Sequence, residues 1–255
     1  MLNHHHISVV IPAKDEDGAI GQVVSGLLQQ RNRDNEPLVD DIIVCDNGST
    51  DNTLHIARLY GARVIKQPVA GYGIACLTAM SVLSDKTDIV LFVDGDRSCN
   101  PLQAHDLCKA IINGADLAIG SRKLGYIEAD AMSTAQRFGN ALACWILTAL
   151  YRKQVSDLGP YRAIRKTKLD ALEMQDRSFG WTVEMQAKAL ERNYHIKEVA
   201  VDCRRRIGVS KISGTFSGVV GAGKGILSTI FKVWWQHRRN QDVNAVILSK
   251  ASGEA

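Results

Sequence analysis

Short runs of consecutive apolar residues alternate in this chain with longer segments in which apolar residues recur every third or fourth position. The short runs predict buried strands, and the longer segments predict amphipathic helices. The predicted strands are Ile7–Ile11, Ile42–Cys45, Arg63–Ile65, Ile89–Val93, Leu117–Ile119 and Ile196–Val201. The predicted helices are Ile20–Gln30, Thr53–Tyr60, Gly73–Leu83, Pro101–Asn113, Ala135–Leu150 and Trp181–Asn193. This alternation predicts an α/β fold with a mainly parallel, Rossmann-like sheet covered by helices on both faces.

The chain is expected to form one main domain over residues 1–225, because 255 residues with 45% hydrophobic content can bury one substantial core. Within it, the strand and helix alternation occupies residues 7–122, and a pattern with longer helices occupies residues 123–225. Residues 226–255 predict an amphipathic helix and a polar tail. The adjacent Trp234 and Trp235 suit a membrane interface, although packing on the domain explains the apolar residues of this helix equally well.

Composition narrows the class of protein. The formal net charge of +4 is too mild to indicate a nucleic-acid partner. The six cysteines are scattered without CxxC spacing, which favours a reduced, cytoplasmic protein with at most peripheral contact to the membrane. No apolar run approaches the roughly 18 residues that a spanning helix needs, and no basic-then-apolar signal pattern opens the chain. These patterns leave the oligomeric state open.

Two carboxylates follow the most apolar of the predicted strands. Asp94 and Asp96 lie one residue apart, on either side of Gly95. Side chains at positions i and i+2 of an extended chain project to the same side, so both carboxylates can face one hard cation. Mg²⁺ or Mn²⁺ bound there would leave coordination positions for phosphate oxygens. A solvated acidic turn after the strand is the alternative.

Two further polar loops follow the first and second predicted strands. The first strand leads into residues 12–16, which end in Asp15 and Glu16, and the second leads into residues 46–53, which begin with Asp46. In a parallel sheet these turns and the Asp94 turn lie at one edge, where open α/β sheets bind ligands. A carboxylate such as Asp46 can accept hydrogen bonds from a nucleobase, whereas Ser49 to Thr53 fit helix capping.

These motifs together resemble a family 2 glycosyltransferase with the GT-A fold, over most of the chain from Ile7 to about Gly225. The motifs that carry the resemblance in the first half are Val10-Ile11-Pro12-Ala13 with Glu16, Asp46-Asn47-Gly48-Ser49-Thr50-Asp51, Gly71-Tyr72-Gly73 and Asp94-Gly95-Asp96. The resemblance implies a nucleoside-diphosphate sugar donor. The residues that it assigns to the donor are Pro12, Ala13, Glu16, Asp46, Asn47, Gly73, Asp94, Gly95 and Arg122, with Asp94 and Asp96 holding Mg²⁺ or Mn²⁺. Asn47 departs from the pattern, since many members have a second aspartate there.

The second half resembles the branch that includes dolichyl-phosphate mannose synthase and polyprenyl-phosphate glycosyltransferases. The motifs are Gly120-Ser121-Arg122, Gln136 to Asn140, Asp157 to Arg162, Phe179 to Met185 and Arg206 to Lys211. This resemblance implies a lipid phosphate as acceptor and a role in cell envelope glycan synthesis. Cationic side chains suit a phosphate, because an arginine fork can bind two oxygens of one phosphate. The candidates for the acceptor phosphate are Arg122, Arg137, Arg162, Arg206, Ser210 and Lys211.

A lipid monophosphate is already ionised near neutral pH, so its attack on the sugar needs orientation more than a general base. Single displacement would invert the anomeric centre. A hydroxyl acceptor would instead need a carboxylate to take its proton, and Glu184 is the first candidate and Asp157 the second. Two alternatives stay open at this point. They are a transferase with a soluble phosphorylated or hydroxyl acceptor, and a non-catalytic module that only binds the nucleotide sugar.

Overall fold

The computed structural model describes residues 2, 4–32, 35–208, 221, 223–236 and 238–239. Its strands are β1 (Ile7–Ala13), β2 (Asp41–Asp46), β3 (Arg63–Lys66), β4 (Ile89–Phe92), β5 (Leu117–Ser121), β6 (Arg162–Arg165) and β7 (Ile196–Ala200). Its helices are α1 (Ile20–Leu28), α2 (Thr53–Leu59), α3 (Tyr72–Met80), α4 (Ala104–Ile112), α5 (Thr134–Tyr151), α6 (Lys166–Leu172) and α7 (Trp181–Glu191), and residues 223–236 are also helical.

The seven strands form one sheet in the order β3-β2-β1-β4-β6-β5-β7. Strands β1 to β4 run parallel to one another, and β7 runs parallel to β5. Strand β6 is antiparallel to both of its neighbours, β4 and β5. The register places Ala13 opposite Asp46 and Val10 opposite Phe92, so the ends of β1, β2 and β4 lie side by side. The polar loops that follow these strands, as predicted from the sequence, lie at this edge.

The mainly parallel sheet predicted from the apolar pattern is confirmed, and so are its six predicted strands and six predicted helices. The pattern missed β6 and α6. Strand β6 has the sequence Arg-Ala-Ile-Arg, which is too short and too charged to stand out as an apolar run. Its buried place between β4 and β5 follows from pairing with both neighbours rather than from its own composition.

Helices cover both faces of the sheet, as predicted. One face packs against α1 and α4, through residues such as Ile20 and Leu107. The other face packs against α3, α6 and α7, where the Phe92 and Trp181 ring centroids lie 6.0 Å apart. A third cluster joins α5 and the outer side of α7 to helix 223–236, through Ile230 among others. None of the helices among the described residues combines the length and apolar character needed to cross a membrane.

Helix α5 begins with a capping box that fixes its first turn beside the sheet edge. The Ser133 hydroxyl accepts a hydrogen bond from the Gln136 backbone N–H, and the Gln136 side chain accepts one from the Ser133 backbone N–H. The helix ends at Arg152, which has left-handed backbone angles. The exchange of hydrogen bonds satisfies donors that the first turn of a helix leaves without intrahelical partners.

Glu191, at the end of α7, makes the stability of the third cluster depend on pH. Burial raises its pKa from 4.5 to about 7, although Tyr151, whose hydroxyl lies 2.9 Å away, opposes the shift. Because the folded-state pKa exceeds the unfolded one, this group stabilises the fold below pH 4.5 and loses that effect as the pH rises through 7. We expect Glu191→Gln to gain about 1–2 kcal/mol over the parent across this interval, after allowance for solvent screening.

Urea unfolding of both proteins at a series of pH values measures this difference. Glu173→Gln is the matched control, because Glu173 is an exposed carboxylate at the end of α6. A constant difference between Glu191→Gln and the parent from pH 4 to pH 8 would contradict the prediction.

Candidate active site

The loops after β1 and β2 are tied together by hydrogen bonds between side chains and backbone. The backbone N–H of Glu16 donates to the Thr53 hydroxyl over 2.7 Å, and that of Asp15 donates to the Ser49 hydroxyl over 2.9 Å. The Asp15 carboxylate in turn accepts the N–H of Thr50. These side chains therefore join two loops. The side chain of the N-cap residue Asn52 makes no capping hydrogen bond, but Asp51, within the range expected to cap the helix, accepts the backbone N–H of Thr53 at the start of α2.

Asp46 is the last residue of β2 and Asn47 follows it; both are buried, and they make different hydrogen bonds. The Asp46 carboxylate accepts one hydrogen bond, from the backbone N–H of Ser49. The Asn47 amide donates to the carbonyl oxygens of Gln67 and Val69 and accepts from the N–H of Gly71. An aspartate could not donate those two bonds. The departure from the family pattern at position 47 is thus explained by the shape of loop 67–71.

The remaining residues expected at the donor lie at the same edge. Pro12 and Ala13 end β1, beside β2, and the Glu16 carbonyl begins the turn into α1. Two glycines have a packing reason for their small size. A Cβ atom on Gly73 would lie 2.1 Å from the carbonyl oxygen of Asp176, and one on Gly95 would lie 3.3 Å from Ile20. The family resemblance assigned Gly73 to the donor site. The structure shows in addition that the backbone of Asp176 lies close to this glycine.

Asp94 and Asp96 stand at the end of β4 with separate partners. Asp94 accepts a hydrogen bond from the Tyr72 hydroxyl over 3.0 Å. Asp96 is 4% exposed, accepts the backbone N–H of Ser98 over 2.9 Å and forms an ion pair with Arg206 at 2.5 Å. Tyr72 was quoted within the glycine motif, but nothing in the sequence indicated that its hydroxyl reaches a carboxylate more than twenty positions away.

The electrostatics of the two carboxylates favour a cation. Burial, with the charge of Asp96 next in importance, raises the pKa of Asp94 to about 6, while Tyr72, Arg206 and Arg122 oppose the shift. A bound divalent cation would relieve the repulsion that raises this pKa. No group of three or more His, Cys, Asp or Glu side chains suited to a metal occurs within the described ranges. A cation here would therefore take two carboxylates from the protein and complete its shell with ligand oxygens and water.

The cationic residues expected around the acceptor phosphate fall into different environments. Arg122 binds Asp157 in a bidentate pair of 2.6 and 2.8 Å, and its backbone N–H donates to the same carboxylate. Arg206 pairs with Asp96. Arg137 lies on the exposed side of α5, where its Nε donates to the Met132 carbonyl over 3.4 Å. Ser210 and Lys211 lie outside the described residues.

Arg162 does not face an acceptor, and its assignment to the acceptor phosphate is wrong. Its side chain is 1% exposed, and its guanidinium donates to the carbonyl oxygens of Gly159 and Thr182. Burial lowers its pKa to about 10. The residue anchors β6 to the start of α7, and a pattern of cationic residues in loops could not distinguish this buried anchor from a phosphate ligand.

Neither of the carboxylates expected to act as a general base has the environment of one. Glu184 is buried, accepts the backbone N–H groups of Gln175 and Asp176 and pairs with Lys188 at 2.7 Å. Asp157 is 1% exposed, and both of its oxygens are bound to Arg122. The structure therefore corrects both assignments. Glu184 holds loop 175–176 onto α7, and Asp157 holds Arg122.

Two adjoining clefts, which share wall residues, lie at this side of the molecule. The first has a volume of about 570 Å³ and extends from Asp94 past Arg122 and Arg206 to the start of α5. The second has a volume of about 610 Å³ and lies along α5, with mainly apolar walls. Both include Arg122 and Met132 in their walls. Sequence reasoning missed the contribution of Ser133 and Gln136 to the first cleft, although the Ser-x-x-Gln spacing of a capping box was present.

The architecture and the strand-end carboxylates define a nucleotide-sugar transferase of the GT-A type. The sequence profile of glycosyl transferase family 2 matches residues 8–179, more than half of the chain. The chain therefore belongs to glycosyltransferase family 2.

Proteins with similar sequences and structures are consistent with membership of this family. A dolichyl-phosphate hexose transferase of Haloferax volcanii is 31% identical over 222 residues, which cover 87% of this chain and 92% of the relative. An uncharacterized glycosyltransferase of Mycobacterium tuberculosis is 29% identical and covers 84% of this chain and 93% of its own length. Glucosyl-3-phosphoglycerate synthase of M. tuberculosis, solved with Mn²⁺, UDP-glucose and phosphoglyceric acid, superposes with a TM-score of 0.72 at 23% identity and covers 90% of this chain and 80% of its own.

The environment of Glu184 predicts a loss of stability rather than of chemistry when its charge is removed. We expect Glu184→Gln to lower the free energy of unfolding by about 2–4 kcal/mol, because it weakens buried hydrogen bonds and leaves Lys188 without its ion-pair partner. Transfer per folded molecule should change less than about threefold at a temperature where the variant is folded.

Chemical denaturation and sugar-transfer assays on the same preparations test both halves of this prediction. Asp170→Asn is the matched control, because its ion pair with Lys166 has the same i,i+4 spacing but is exposed. A stable Glu184→Gln protein with transfer reduced about a hundredfold or more would instead identify Glu184 as a general base.

Proposed function

We propose that this glycosyltransferase moves a hexose from a UDP- or GDP-linked donor to a polyprenyl or dolichyl type of lipid phosphate, with inversion at the anomeric carbon. The proposal rests on the two adjoining clefts, which share Arg122 and Met132 in their walls. A polar cleft begins at the carboxylates, and an apolar cleft with a cationic rim continues from it along α5. A lipid phosphate has matching parts, since its phosphate head is polar and its hydrocarbon chain is apolar.

In this proposal, residues 7–122 bind the donor. Asp46 accepts hydrogen bonds from the base, and the tied loops after β1 and β2 exclude water from it. Asp94 and Asp96 would hold Mg²⁺ or Mn²⁺, a role consistent with their mutual repulsion and with the ions in the glucosyl-3-phosphoglycerate synthase structures. When bound, the ion would neutralise charge on the departing nucleoside diphosphate. Tyr72 orients Asp94 for this task through its hydroxyl.

The positive groups for the acceptor phosphate come from Arg122, the last residue of the donor half, and from the acceptor half, residues 123–225. Arg122 lies in the walls of both clefts, at their junction, and Asp157 fixes its orientation. The first turn of α5 adds the partial positive charge of a helix N-terminus beside the same cleft. Arg137 lies on the wall of the second cleft. These groups would orient an ionised phosphate oxygen towards the sugar.

The positions of Glu184 and Asp157 favour a phosphate as the nucleophile. Both carboxylates are bound to other groups, and a phosphate monoester attacks without prior loss of a proton. Asp130 and Asp202 lie in the wall of the first cleft and would be the bases for a hydroxyl acceptor. That observation, together with the phosphoglyceric acid in the glucosyl-3-phosphoglycerate synthase complex, supports a soluble acceptor as the second candidate.

Exposed apolar residues, most of them aromatic, lie on α5 near the second cleft and would face a lipid surface. Phe138, Leu142 and Trp145 follow one another at helical spacing on α5 and are 69%, 37% and 68% exposed. Trp235, on helix 223–236, is 67% exposed. Aromatic side chains beside cationic ones suit the headgroup region of a bilayer. The enzyme would then work as a peripheral protein on the cytoplasmic face of the membrane and extract the head of its acceptor from there.

A donor screen tests the reaction itself. Radiolabelled UDP- and GDP-hexoses are incubated with Mn²⁺ or Mg²⁺ and a polyprenyl phosphate, and label is measured in the organic phase. We expect label from one donor, and a loss of about a hundredfold or more in Asp96→Asn, because the transition-state charge then lacks its counterion. Asp85→Asn is the matched control, since Asp85 is exposed and remote from the clefts.

The other outcomes are informative. Nucleotide release without organic-phase label, abolished in Asp202→Asn or Asp130→Asn, would favour a soluble hydroxyl acceptor. Donor binding by calorimetry without turnover on any acceptor would favour a binding module.

The aromatic face of α5 predicts a dependence on the length of the acceptor. We expect Phe138→Ser with Trp145→Ser to slow transfer to a long polyprenyl phosphate in vesicles by about tenfold or more, since each exposed ring buries apolar area against the lipid. Transfer to water-soluble geranyl phosphate should be nearly unchanged. Leu59→Ser, an equally exposed apolar residue on α2, should affect neither. Equal loss with both acceptors would contradict the assignment of this face to the lipid.

A further inference from the structure

A short ribbon of two antiparallel segments, 96–99 and 203–207, brings Cys99 opposite Cys203 beside the first cleft, and Cys203 also pairs with Ile127 on its other side. Cys99 and Cys203 form an antiparallel bridge between the segment after Asp96 and the segment after β7. The backbone N–H of Arg204 donates to the carbonyl oxygen of Ser98 over 2.8 Å. A bond between the residues that flank an opposed pair marks the narrow, non-hydrogen-bonded type of pair, whose Cα atoms lie about 4.5 Å apart.

This arrangement is compatible with a disulfide. Disulfides join Cα atoms about 4.4–6.8 Å apart, and the side chains of directly opposed strand residues project to the same side. Both cysteines are free thiols that border the first cleft; Cys99 is 6% exposed and Cys203 is 4% exposed, so a reagent would approach them from this cleft. The other four cysteines, Cys45, Cys76, Cys108 and Cys144, do not border this cleft.

The ribbon connects the cysteine pair to the carboxylates of the site. Three residues beyond Cys203, Arg206 forms its ion pair with Asp96, which lies three residues before Cys99. The backbone N–H of Ile207 also donates to the carbonyl oxygen of Asp96 over 3.0 Å. A covalent bond between the cysteines would hold the two segments together at one end of the ribbon and so keep Arg206 on Asp96 at the other.

We propose that Cys99 and Cys203 are a redox-sensitive pair that a small-molecule disulfide converts to an intramolecular disulfide, and that this bond holds Arg206 on Asp96 and weakens donor binding. The regulatory part rests on the proposed function, because it takes Asp96 as a ligand for the donor's cation. The crosslink itself does not.

The chemistry is an exchange of thiol and disulfide in two steps. The Cys203 thiolate attacks the reagent disulfide, forms a mixed disulfide and releases one small thiol. The Cys99 thiolate then attacks the Cys203 sulfur, and the second small thiol leaves. Two protein thiols are oxidised, and one reagent disulfide is reduced to two thiols. Burial raises the pKa of both thiols. At Cys99, Asp94 and Asp96 add to this shift more than Arg122 opposes it, whereas at Cys203 the opposing effect of Arg122 ranks ahead of the increases due to Asp157 and Asp96. The pKa is therefore raised further at Cys99, which makes Cys203 the first nucleophile.

Incubation of the folded, full-length protein with oxidised glutathione tests the crosslink. We expect a species lighter by two hydrogen atoms, in which peptide mapping joins the Cys99 and Cys203 peptides, and which a dithiol reductant reverses. Cys99→Ser and Cys203→Ser should stop at the mixed disulfide or show no reaction. Cys108→Ala, which alters a buried cysteine on α4, should still form the crosslink. Absence of the crosslink while Cys203 forms a mixed disulfide would overturn the proposal.

Binding of UDP and GDP in the presence of Mn²⁺, measured on the oxidised and re-reduced protein, tests the regulatory part. We expect at least about fivefold weaker binding after oxidation, with recovery on reduction and no change in Cys99→Ser. Unchanged binding in a fully crosslinked protein would overturn this part. Failure of the proposed function is distinguishable, since the reduced protein would then fail to transfer sugar whether or not the crosslink forms.

Discussion

The ion pair between Arg122 and the buried carboxylate of Asp157 is the interaction on which the region around β5, β6 and α5 depends. It joins the end of β5 to the loop before β6, and Asn140 of α5 accepts hydrogen bonds from the Leu158 backbone and, at 3.5 Å, from Arg122. Removing one partner from such a pair typically costs about 3–5 kcal/mol, because the other charge stays buried. The same ion pair fixes the guanidinium of Arg122 where the walls of the two clefts meet. Arg122 therefore stabilises the fold and also lines both clefts.

The donor side depends on a different kind of restraint. Its loops are short, and they are tied to one another through hydroxyl and carboxylate groups, such as those of Ser49, Thr53 and Asp15. Asn47 does the same for the loop that leads to α3. Loops restrained in this way lose little conformational entropy when a nucleotide binds, which favours affinity. Several polar residues of the candidate site, among them Asn47, therefore hold its loops in place through contacts within the protein.

Asp94 and Asp96 illustrate how a site can hold like charges before its ligands arrive. Each carboxylate has a partner of its own, the Tyr72 hydroxyl for one and the Arg206 guanidinium for the other. These partners lower the cost of two buried charges, which burial alone makes large. Arg206 comes from a segment far along the chain, so the second half of the chain contributes to the electrostatics at the end of β4.

Sequence by itself determined the α/β class, six of the seven strands, the family and the edge of the sheet that carries the candidate site. These features follow from local periodicity and from the rule that parallel strands end at one edge. Only the tertiary structure decided which charged residues face a cleft. In the sequence, Arg162, Glu184 and Asp157 look like the charged residues of a site. In the structure they are buried and bound to other groups of the protein, so they stabilise the fold. The reason is physical: a charge pattern along a chain does not show whether a side chain ends in water or against a carbonyl, because long-range packing sets that environment.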